Sequence, residues 1–317
     1  MTDGEASTHD YITKKREPDP WSVAIFTFLV TLAAFVIVAP FIGMGIAYPF
    51  YNGDGMEYLE DLQNPIGNES MKMIYYFIQG FATLFGLAII PAFFWQRLTH
   101  KPALGLFKGT PLKPIHFLIT AGIVFFFLGF MSVVMEWNSN IDLPNGSFEN
   151  WAKSTEEQLA EITRYLTSFS NVGQYLVGVF VIAILAGIGE ELVFRGLLQP
   201  ELHKATGNIH VAIWVSALFF SALHLQFYGF FPRMLLGALF GYLYYWSGNL
   251  FVPMFAHFAN NFLAVSSIYF GLSEVPGMET EPTQQEPWYV VFVMTAICGT
   301  LIYIFYKQFQ KPDDVRA

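Results

Sequence analysis

Long apolar runs recur along the chain and constrain its fold more than any other feature of the sequence. Each holds about 18 or more residues, the length that an α-helix needs to cross the hydrocarbon core of a bilayer. Because lipid offers no partners to backbone amides, such runs predict membrane-spanning helices. The predicted spans are at about 22–47, 72–95, 115–136, 174–199, 208–227, 230–247, 250–270 and 288–307. The predicted fold class is therefore all-α: a polytopic membrane protein, a bundle of about eight transmembrane helices.

The composition excludes an ordinary soluble domain. The 317 residues are 54% hydrophobic and 13% charged, whereas soluble domains carry about 25% charged residues. The single cysteine, Cys298, lies in the last apolar run, so no intrachain disulfide is predicted. We expect the lipid bilayer as a partner and no nucleic acid, and the oligomeric state is left open.

The basic residues sort to one side of this eight-span arrangement, which predicts its orientation. Lys72, Lys153, Arg164 and Arg233 fall on one side, and Lys14, Lys15, Arg16, Arg97, Lys101, Lys108, Lys113, Arg195, Lys204, Lys307, Lys311 and Arg316 fall on the other. Basic residues concentrate on the cytoplasmic side of membrane proteins. We therefore expect a multi-pass protein with both termini in the cytoplasm, in a prokaryotic cell membrane.

The predicted organisation has five parts. They are a cytoplasmic tail (1–21), an N-terminal transmembrane scaffold (22–137), an external amphipathic segment (138–171), a catalytic core (172–270), and an external loop with the last span and a cytoplasmic tail (271–317). In the external segment, Ser154 and Glu157 have the spacing of a capping box and predict the start of an amphipathic helix. This helix either lies at the membrane interface or caps the core from outside.

Polar side chains concentrate in three of the core spans. The run from Val181 to Arg195 carries Glu190, Glu191 and Arg195, and the later spans add His224, His257 and Asn261. A charged group near the bilayer centre costs about 2.5 to 3.5 kcal/mol on insertion scales, so such groups need partners or a function. Single histidines and asparagines in membrane helices are often interhelical hydrogen bonds. Their concentration in the fourth, fifth and seventh spans favours a site.

The spacing of the charged groups predicts their roles. Glu191 and Arg195 are four residues apart on one helical face, so they can pair as a structural clamp. Glu190 lies about 100° round the helix and has no local counter-charge. In an apolar, partly dry site, Glu190 is the group free to titrate and is suited to act as a general base.

Two further pairs share a helical face. Phe220 and His224 are four residues apart, and His224 could orient a water molecule with Glu190. His257 and Asn261 have the same spacing and could direct two donors at a developing oxyanion. In the sixth span, Gly237 and Gly241 form a GxxxG pattern that permits close helix approach, although the pattern is common in apolar segments.

Three of these strings together resemble a known family. The string Glu190–Arg195 resembles the EExxxR motif of the CPBP intramembrane proteases, which include the type II CAAX prenyl endopeptidases and the Abi bacteriocin-immunity proteins. The string Phe220–His224 is similar to the family's FxxxH motif, and His257–Asn261 is similar to its HxxxN/D motif. The motifs occur in the family's order, and the resemblance covers about residues 173–265.

The resemblance implies a fold of about eight helices with a peptidase site inside the membrane. It implies that Glu190, helped by His224, activates a water molecule while His257 and Asn261 stabilise the oxyanion. Glu191, Arg195 and Phe220 would support these groups. The substrate would be a membrane-associated, prenylated or bacteriocin-like peptide or protein.

The resemblance leaves the cofactor open. Family members are often classed as metalloproteases, and a zinc ion would be held by Glu190, Glu191, His224 and His257. No HExxH pair is present, however, and Arg195 would compete with a cation for Glu191. We therefore favour a glutamate mechanism that requires no cofactor, with zinc as the alternative.

Two other functions compete with the endopeptidase. A proton-coupled transporter could use the same acid and imidazoles as a relay, but no matching second half with broken helices is visible. A catalytically silent immunity or scaffold protein is the other alternative.

A difficulty concerns depth. If the fourth span begins near Asn171, Glu190 and His224 lie at opposite edges of the membrane. The hypothesis therefore requires that the fourth span be centred on about 181–200 and that the fifth extend to about Phe231.

Overall fold

The computed structural model describes residues 18–141, 143, 146–273 and 287–310. Within these ranges the chain forms helices and no strand, which confirms the all-α class. The helices are α1 (Pro20–Phe50), α2 (Gly55–Gln63), α3 (Glu69–Thr99), α4 (Pro114–Ser139), α5 (Ser147–Thr167), α6 (Val172–Thr206), α7 (Ile209–Ala222), α8 (Phe230–Ser247), α9 (Phe251–Tyr269) and α10 (Trp288–Phe309). Most of the predicted tail 1–21, Lys311 and Arg316, and most of the acidic loop after residue 273 lie outside the described residues.

Helices stand at all the predicted spans, but in the described part of the chain six are long and apolar enough to cross a membrane: α1, α3, α4, α6, α9 and α10. These six make the chain an integral membrane protein. Helix α7 has 14 residues and is about 21 Å long, shorter than the hydrocarbon core of about 30 Å. Helix α8 has the bounds predicted for the sixth span and is not among the six.

The first part of the depth prediction is confirmed, because the midpoint of α6 lies next to Glu190, and the second part is wrong. Helix α6 is 35 residues long and continues to Thr206, so Glu190 lies about 24 Å from its C-terminal end. Helix α7 does not extend to Phe231 but ends at Ala222, and Leu225 just beyond it has a positive φ of 56°. The short α7 therefore brings its C-terminal end, and His224, to the depth of Glu190.

A tight turn between α6 and α7 allows His224 to lie at the same depth as Glu190. Gly207 ends α6 with a φ of +66°, a left-handed conformation that glycine adopts without strain. The side chain of Asn208 then accepts hydrogen bonds from the first backbone amides of α7, which satisfies groups that have no partner within the helix. The two helices thus run antiparallel from one shared turn.

Helix α6 lies at the centre of the bundle. It packs against α1, α3, α7 and α9, while α4 and α10 pack together against α8 and α9 around Ile123, Phe240 and Phe305. At Gly187, a Cβ atom would lie 3.0 Å from the backbone nitrogen of Phe258 on α9. A side chain there would separate α6 from α9, so glycine sets their close approach.

Helix α5 is amphipathic, as predicted, but it begins at Ser147 and not at Ser154. Its C-terminal end is fixed by Lys72, which is fully buried and donates to the carbonyl oxygen of Ser168 at 2.7 Å. The hydroxyl group of Tyr165 also donates to the Asn68 carbonyl oxygen at 2.7 Å. These bonds tie α5 to the start of α3.

Candidate active site

Helix α6 places three charged groups at the centre of the bundle. Glu191 and Arg195 are completely buried, and 16% of the Glu190 side chain is exposed. The helix is π-wound on both sides of the acidic pair, at Val179–Leu185 and at Leu192–Leu198. Such π-turns are rare and occur frequently at functional sites.

Glu190 faces two histidines from other helices. Its Oε2 atom lies 3.9 Å from Nε2 of His224 and 4.0 Å from Nε2 of His257. The same oxygen is buried and has no hydrogen-bond partner among the described residues. Separations of this size are too long for direct hydrogen bonds and fit a bridging water molecule. The acid therefore faces a space between two imidazoles, either of which would form an ion pair with it when protonated.

The orientation of His224 follows from the end of α7. The backbone amide of His224 donates to the Ser221 carbonyl oxygen, so the Phe220 carbonyl oxygen is left for the His224 side chain, which binds it through Nδ1 at 2.9 Å. Because a carbonyl oxygen only accepts, Nδ1 must carry the hydrogen. In the neutral ring, Nε2 is then an acceptor directed at Glu190.

His257 belongs to the clamp that the sequence predicted for Glu191 and Arg195. Oε1 of Glu191 accepts from Nη1 of Arg195 at 2.8 Å and from Nδ1 of His257 at 2.8 Å. Arg195 also donates through Nη2 to the carbonyl oxygen of Gly237 at 2.6 Å. The clamp thus joins α6, α8 and α9, and it turns Nε2 of His257 towards Glu190.

Phe220 is the aromatic contact that the site groups share. Its buried ring packs edge-on against the rings of His224 and His257, at centroid distances of 5.2 and 5.8 Å. The guanidinium carbon of Arg195 lies 4.9 Å from the same ring, within the range of a cation–π interaction. The phenylalanine of the second motif therefore orders both histidines and the buried cation.

Asn261 is hydrogen-bonded to groups other than the predicted site residues. Its amide nitrogen donates to the Ile182 carbonyl oxygen at 3.0 Å, and its oxygen accepts from Asn260. Ile182 lies in a π-wound turn of α6, where carbonyl groups lose their usual partners. Asn261 therefore holds α9 to α6, and its role towards an oxyanion stays a prediction that depends on its second amide hydrogen.

The sequence reasoning missed a regular set of contacts between α6 and α8. Arg195 donates to the Gly237 carbonyl oxygen, and Gln199 donates to the Gly241 carbonyl oxygen at 3.2 Å. Both pairs are 42 residues apart, so the two helices keep one register over a full turn. The GxxxG pattern of Gly237 and Gly241 predicted that another helix packs closely against α8, but it did not identify that helix. Only Arg195 and Gln199, which have the same four-residue spacing, could have indicated that it is α6.

A second polar cluster borders the site. Arg233, in the first turn of α8, donates through Nη2 to Gln226 at 2.7 Å, and Gln226 donates to Glu156 of α5 at 3.2 Å. The charge pattern placed Arg233 on the external side of the eight-span arrangement, and in the structure its side chain is partly buried within the bundle. Phe148 of α5 also packs edge-on against Phe227, with their centroids 6.0 Å apart. These contacts favour the capping alternative for α5.

The donor atoms do not fit a tetrahedral zinc site as they stand. Ligand atoms about 2.0 to 2.1 Å from zinc lie about 3.3 Å apart in a tetrahedron, whereas Glu190 lies 3.9 and 4.0 Å from the two histidine nitrogens. Oε1 of Glu191, the other proposed ligand, is shared by Arg195 and His257. In the described part of the chain, no group of three or more His, Cys, Asp or Glu side chains has an arrangement that could hold a metal ion.

The chain has recognisable relatives. Residues 172–263 match the family described as type II CAAX prenyl endopeptidase Rce1-like. The uncharacterized protein YpbD of Bacillus subtilis (strain 168) is 36% identical over 84 residues, which are 25% of this chain and 40% of that protein. The chain thus spans less than half the length of that relative, and no solved structure matches it.

Proposed function

We propose that this protein is an intramembrane endopeptidase. The premise is the match of residues 172–263 to the Rce1-like family. One observation carries the proposal: a buried carboxylate oxygen of Glu190 without a hydrogen-bond partner among the described residues lies about equally far from two imidazole nitrogens. Glu191 also has a buried oxygen without a partner, Oε2, but its Oε1 is bound to Arg195 and His257, whereas no hydrogen bond or Arg or Lys ion pair in the described part of the chain involves the Glu190 carboxylate. One water molecule could bridge Oε2 of Glu190 and an imidazole nitrogen. This position suits Glu190 to act as a general base.

The attack begins with a water molecule between Glu190 and His224. Glu190 takes one proton from the water as its oxygen adds to the carbonyl carbon of the scissile peptide. The acceptor Nε2 of His224, fixed by the bond from Nδ1 to the Phe220 carbonyl oxygen, takes a hydrogen bond from the water and directs its lone pair at the substrate. The water is thus both oriented and deprotonated without a change in the positions of the two side chains.

The addition places negative charge on the former carbonyl oxygen. The ring of His257 is fixed by the bond from Nδ1 to Glu191, and when the ring is protonated its Nε2–H donates to this oxygen. The second amide hydrogen of Asn261 is the other candidate donor. Donors that are already in position stabilise the charge without reorganisation.

The tetrahedral species then collapses. The carbonyl double bond re-forms, the C–N bond breaks, and protonated Glu190 gives its proton to the leaving nitrogen. Glu190 returns to its ionised form, and the products are a carboxylic acid and an amine, which become a carboxylate and an ammonium group when the acid proton passes to the amine. The clamp of Glu191, Arg195 and His257 remains paired throughout, so its part is to position groups and not to exchange protons.

The substrate class follows from the surroundings. The site lies among membrane helices, so we expect a substrate to reach it from the bilayer, where a peptide attached to a lipid is concentrated. A prenylated peptide is therefore the first probe to use. A bacteriocin-like peptide is the second.

The test compares wild-type protein with Glu190→Gln in detergent, using dye-labelled prenylated peptides. We expect the loss of the base to lower kcat by about 10²- to 10⁴-fold, with an unchanged unfolding temperature. Glu60→Gln, on the exposed face of α2, is the matched control and should keep full activity. The scaffold alternative would be favoured if the wild-type protein cleaved no peptide and if cells carrying Glu190→Gln had the same phenotype as cells carrying the wild type.

A further inference from the structure

The C-terminal end of α3 carries an open groove that the proposed mechanism does not use. The groove has a volume of about 380 Å³ and is lined by Phe93, Gln96, Arg97, His100 and Pro102. These lining residues include a permanent cation and an imidazole, but no acid. His100 ends the helix with a φ of 56°, so the chain turns away from the helix axis and Pro102 forms part of the wall.

The polar groups of the groove present hydrogen-bond donors. The guanidinium carbon of Arg97 lies 5.0 Å from the centroid of the Phe93 ring, which supports the planar group on an aromatic face. No hydrogen bond or ion pair in the described part of the chain involves the Arg97 or His100 side chain. The Oε1 atom of Gln96 accepts from the backbone amide of Ala103 at 2.9 Å, so the Nε2 hydrogens remain available. A guanidinium fork beside an amide and an imidazole suits a phosphate group.

The acidic side chains at the same ends of α1 and α6 are already bound to partners. Asp19 accepts from the backbone amide and the hydroxyl group of Ser22. Glu201 is buried, accepts from Lys204 at 2.5 Å and accepts from Nε1 of Trp95 at 3.3 Å. Neither carboxylate lines the groove. The carbonyl groups at the end of α3 contribute about half a negative charge, which is less than the full charge of the arginine, so the groove is positive.

The surroundings place the groove at a membrane interface. Arg97 lies in the last turn of α3, which is long and apolar enough to span the membrane. Towards the middle of the helices, Ile25, Phe26 and Phe94 expose apolar side chains, and the last two pack edge-on with their centroids 6.1 Å apart. The exposed Trp21 begins α1 at the same end, and tryptophan concentrates at membrane interfaces. A molecule in the groove can therefore hold an anion at the guanidinium group and hydrocarbon along α1 and α3.

We infer that the groove binds the phosphate group of an anionic phospholipid. The guanidinium group attracts the net negative charge of such a lipid, whereas a zwitterionic lipid also brings a cation that the guanidinium group repels. Basic pockets between membrane helices are suited to anionic headgroups. The groove lies on the side that the charge pattern predicts to be cytoplasmic, where the surface of the membrane is negative. Binding of this lipid does not depend on peptidase activity.

The experiment titrates the purified protein in detergent with phosphatidylglycerol or phosphatidylcholine and counts bound lipids by native mass spectrometry. For the wild type, we expect one phosphatidylglycerol to bind about 10-fold more tightly than phosphatidylcholine, as for a charge-assisted hydrogen bond. Arg97→Gln should abolish this preference and leave the binding of phosphatidylcholine within about twofold. Arg97→Lys should restore part of the preference, because lysine keeps the charge but not the planar fork.

Lys307→Gln is the matched control. Lys307 is a basic residue in the last turn of α10, on the same predicted side of the membrane, where it lies over the ring of Tyr303 and binds Gln310. It does not line the groove, so the control variant should keep the preference for phosphatidylglycerol. Because Arg97 is exposed, Arg97→Gln should leave the unfolding temperature in lipid-free detergent unchanged.

The outcomes separate a lipid site from weaker alternatives. Equal affinity of the wild type for the two lipids would overturn the inference. An equal loss of preference in Arg97→Gln and Lys307→Gln would also overturn it, since that result indicates diffuse attraction to a basic surface. A third titration uses inorganic phosphate: if it displaces phosphatidylglycerol from the wild type at equal concentration, the groove is a site for free phosphate and the lipid assignment is wrong. None of these measurements involves peptide cleavage, so they stand or fall separately from the proposed function.

Discussion

Helices α6 and α10 are both long and apolar enough to span a membrane, yet they occupy opposite environments. In the most apolar stretch of α6, 50% of the residues are buried, against 11% in α10. Helix α6 carries three charged residues at its centre, whereas α10 has no charged residue before Lys307. Hydropathy therefore identifies both as spans but does not separate the helix that faces protein from the helix that faces lipid. The buried charges distinguish the two helices.

The glycines of the two helices show the same contrast. A Cβ atom at Gly187 of α6 would lie 3.0 Å from a backbone nitrogen of α9, but a Cβ atom at Gly299 of α10 would have no neighbour within 4 Å. Lipid adapts to any apolar side chain, whereas a neighbouring helix backbone does not. Equivalent substitutions in the two helices should consequently have unequal effects.

The largest difference should come from the buried charge. Arg195→Met removes one partner of a completely buried ion pair and leaves Glu191 with only its bond to His257, which should cost about 3 to 5 kcal/mol. Phe292→Leu, on the lipid-facing side of α10, should change the free energy of unfolding by about 0.5 kcal/mol or less. Thermal unfolding in detergent measures both. Similar losses for the two variants would contradict the assignment of α6 as the protein-facing helix.

The paired glycines should give a smaller difference. Gly187→Ala should destabilise the protein by about 1 to 3 kcal/mol, since the contacted atoms belong to a backbone. It should also lower activity by shifting His257 relative to Glu190. Gly299→Ala should be neutral or stabilising by up to about 1 kcal/mol, because alanine favours helix. Activity and unfolding temperature, measured together, would contradict the contrast if Gly187→Ala were silent.

The pH dependence of stability should differ in sign between α5 and the start of α1. Burial raises the pKa of the Glu156 carboxyl group, whereas the Ser22 backbone amide lowers the pKa of Asp19. Glu156 therefore contributes stability below its ordinary pKa of 4.5, and this contribution is lost as the pH rises through the folded-state value. Asp19 contributes above its ordinary pKa of 3.8, and this contribution is lost as the pH falls through the folded-state value.

Unfolding temperatures measured from pH 3 to 8 test these signs. The advantage of the wild type over Glu156→Gln should decrease as the pH rises, and its advantage over Asp19→Asn should increase. Parallel slopes for the two variants would show that α5 does not bury its carboxyl group against the loop after α7.

The smallest expected effect is that of a chelator. Because the donor spacing around Glu190 departs from a tetrahedral site and Arg195 already neutralises Glu191, we expect dialysis against EDTA to change kcat/KM by less than about twofold, with the unfolding temperature unchanged. Loss of activity that returns with added zinc would reverse this expectation.

The residue pattern was sufficient for the fold class and for the groups that meet at the site. Apolar runs predict spans because lipid leaves the backbone no alternative, and charge in such a run is too costly to persist without partners. Glu190, His224 and His257 could therefore be selected before their positions were known. The pairing of Glu191 with Arg195 followed from helical geometry and is confirmed at 2.8 Å.

Other features depended on contacts between helices that no local pattern contains. Helix α7 ends early, at Ala222, and this brings His224 level with Glu190. The turn that follows, in which Leu225 has a positive φ, depends on contacts with neighbouring helices. The diversion of Asn261 to the Ile182 carbonyl oxygen requires a π-turn that hydropathy does not reveal. The position of Arg233 follows from the register between α6 and α8. The sequence thus determined which groups must avoid lipid, and only tertiary packing decided which of them face one another, because a helix fixes its own faces but not its neighbours.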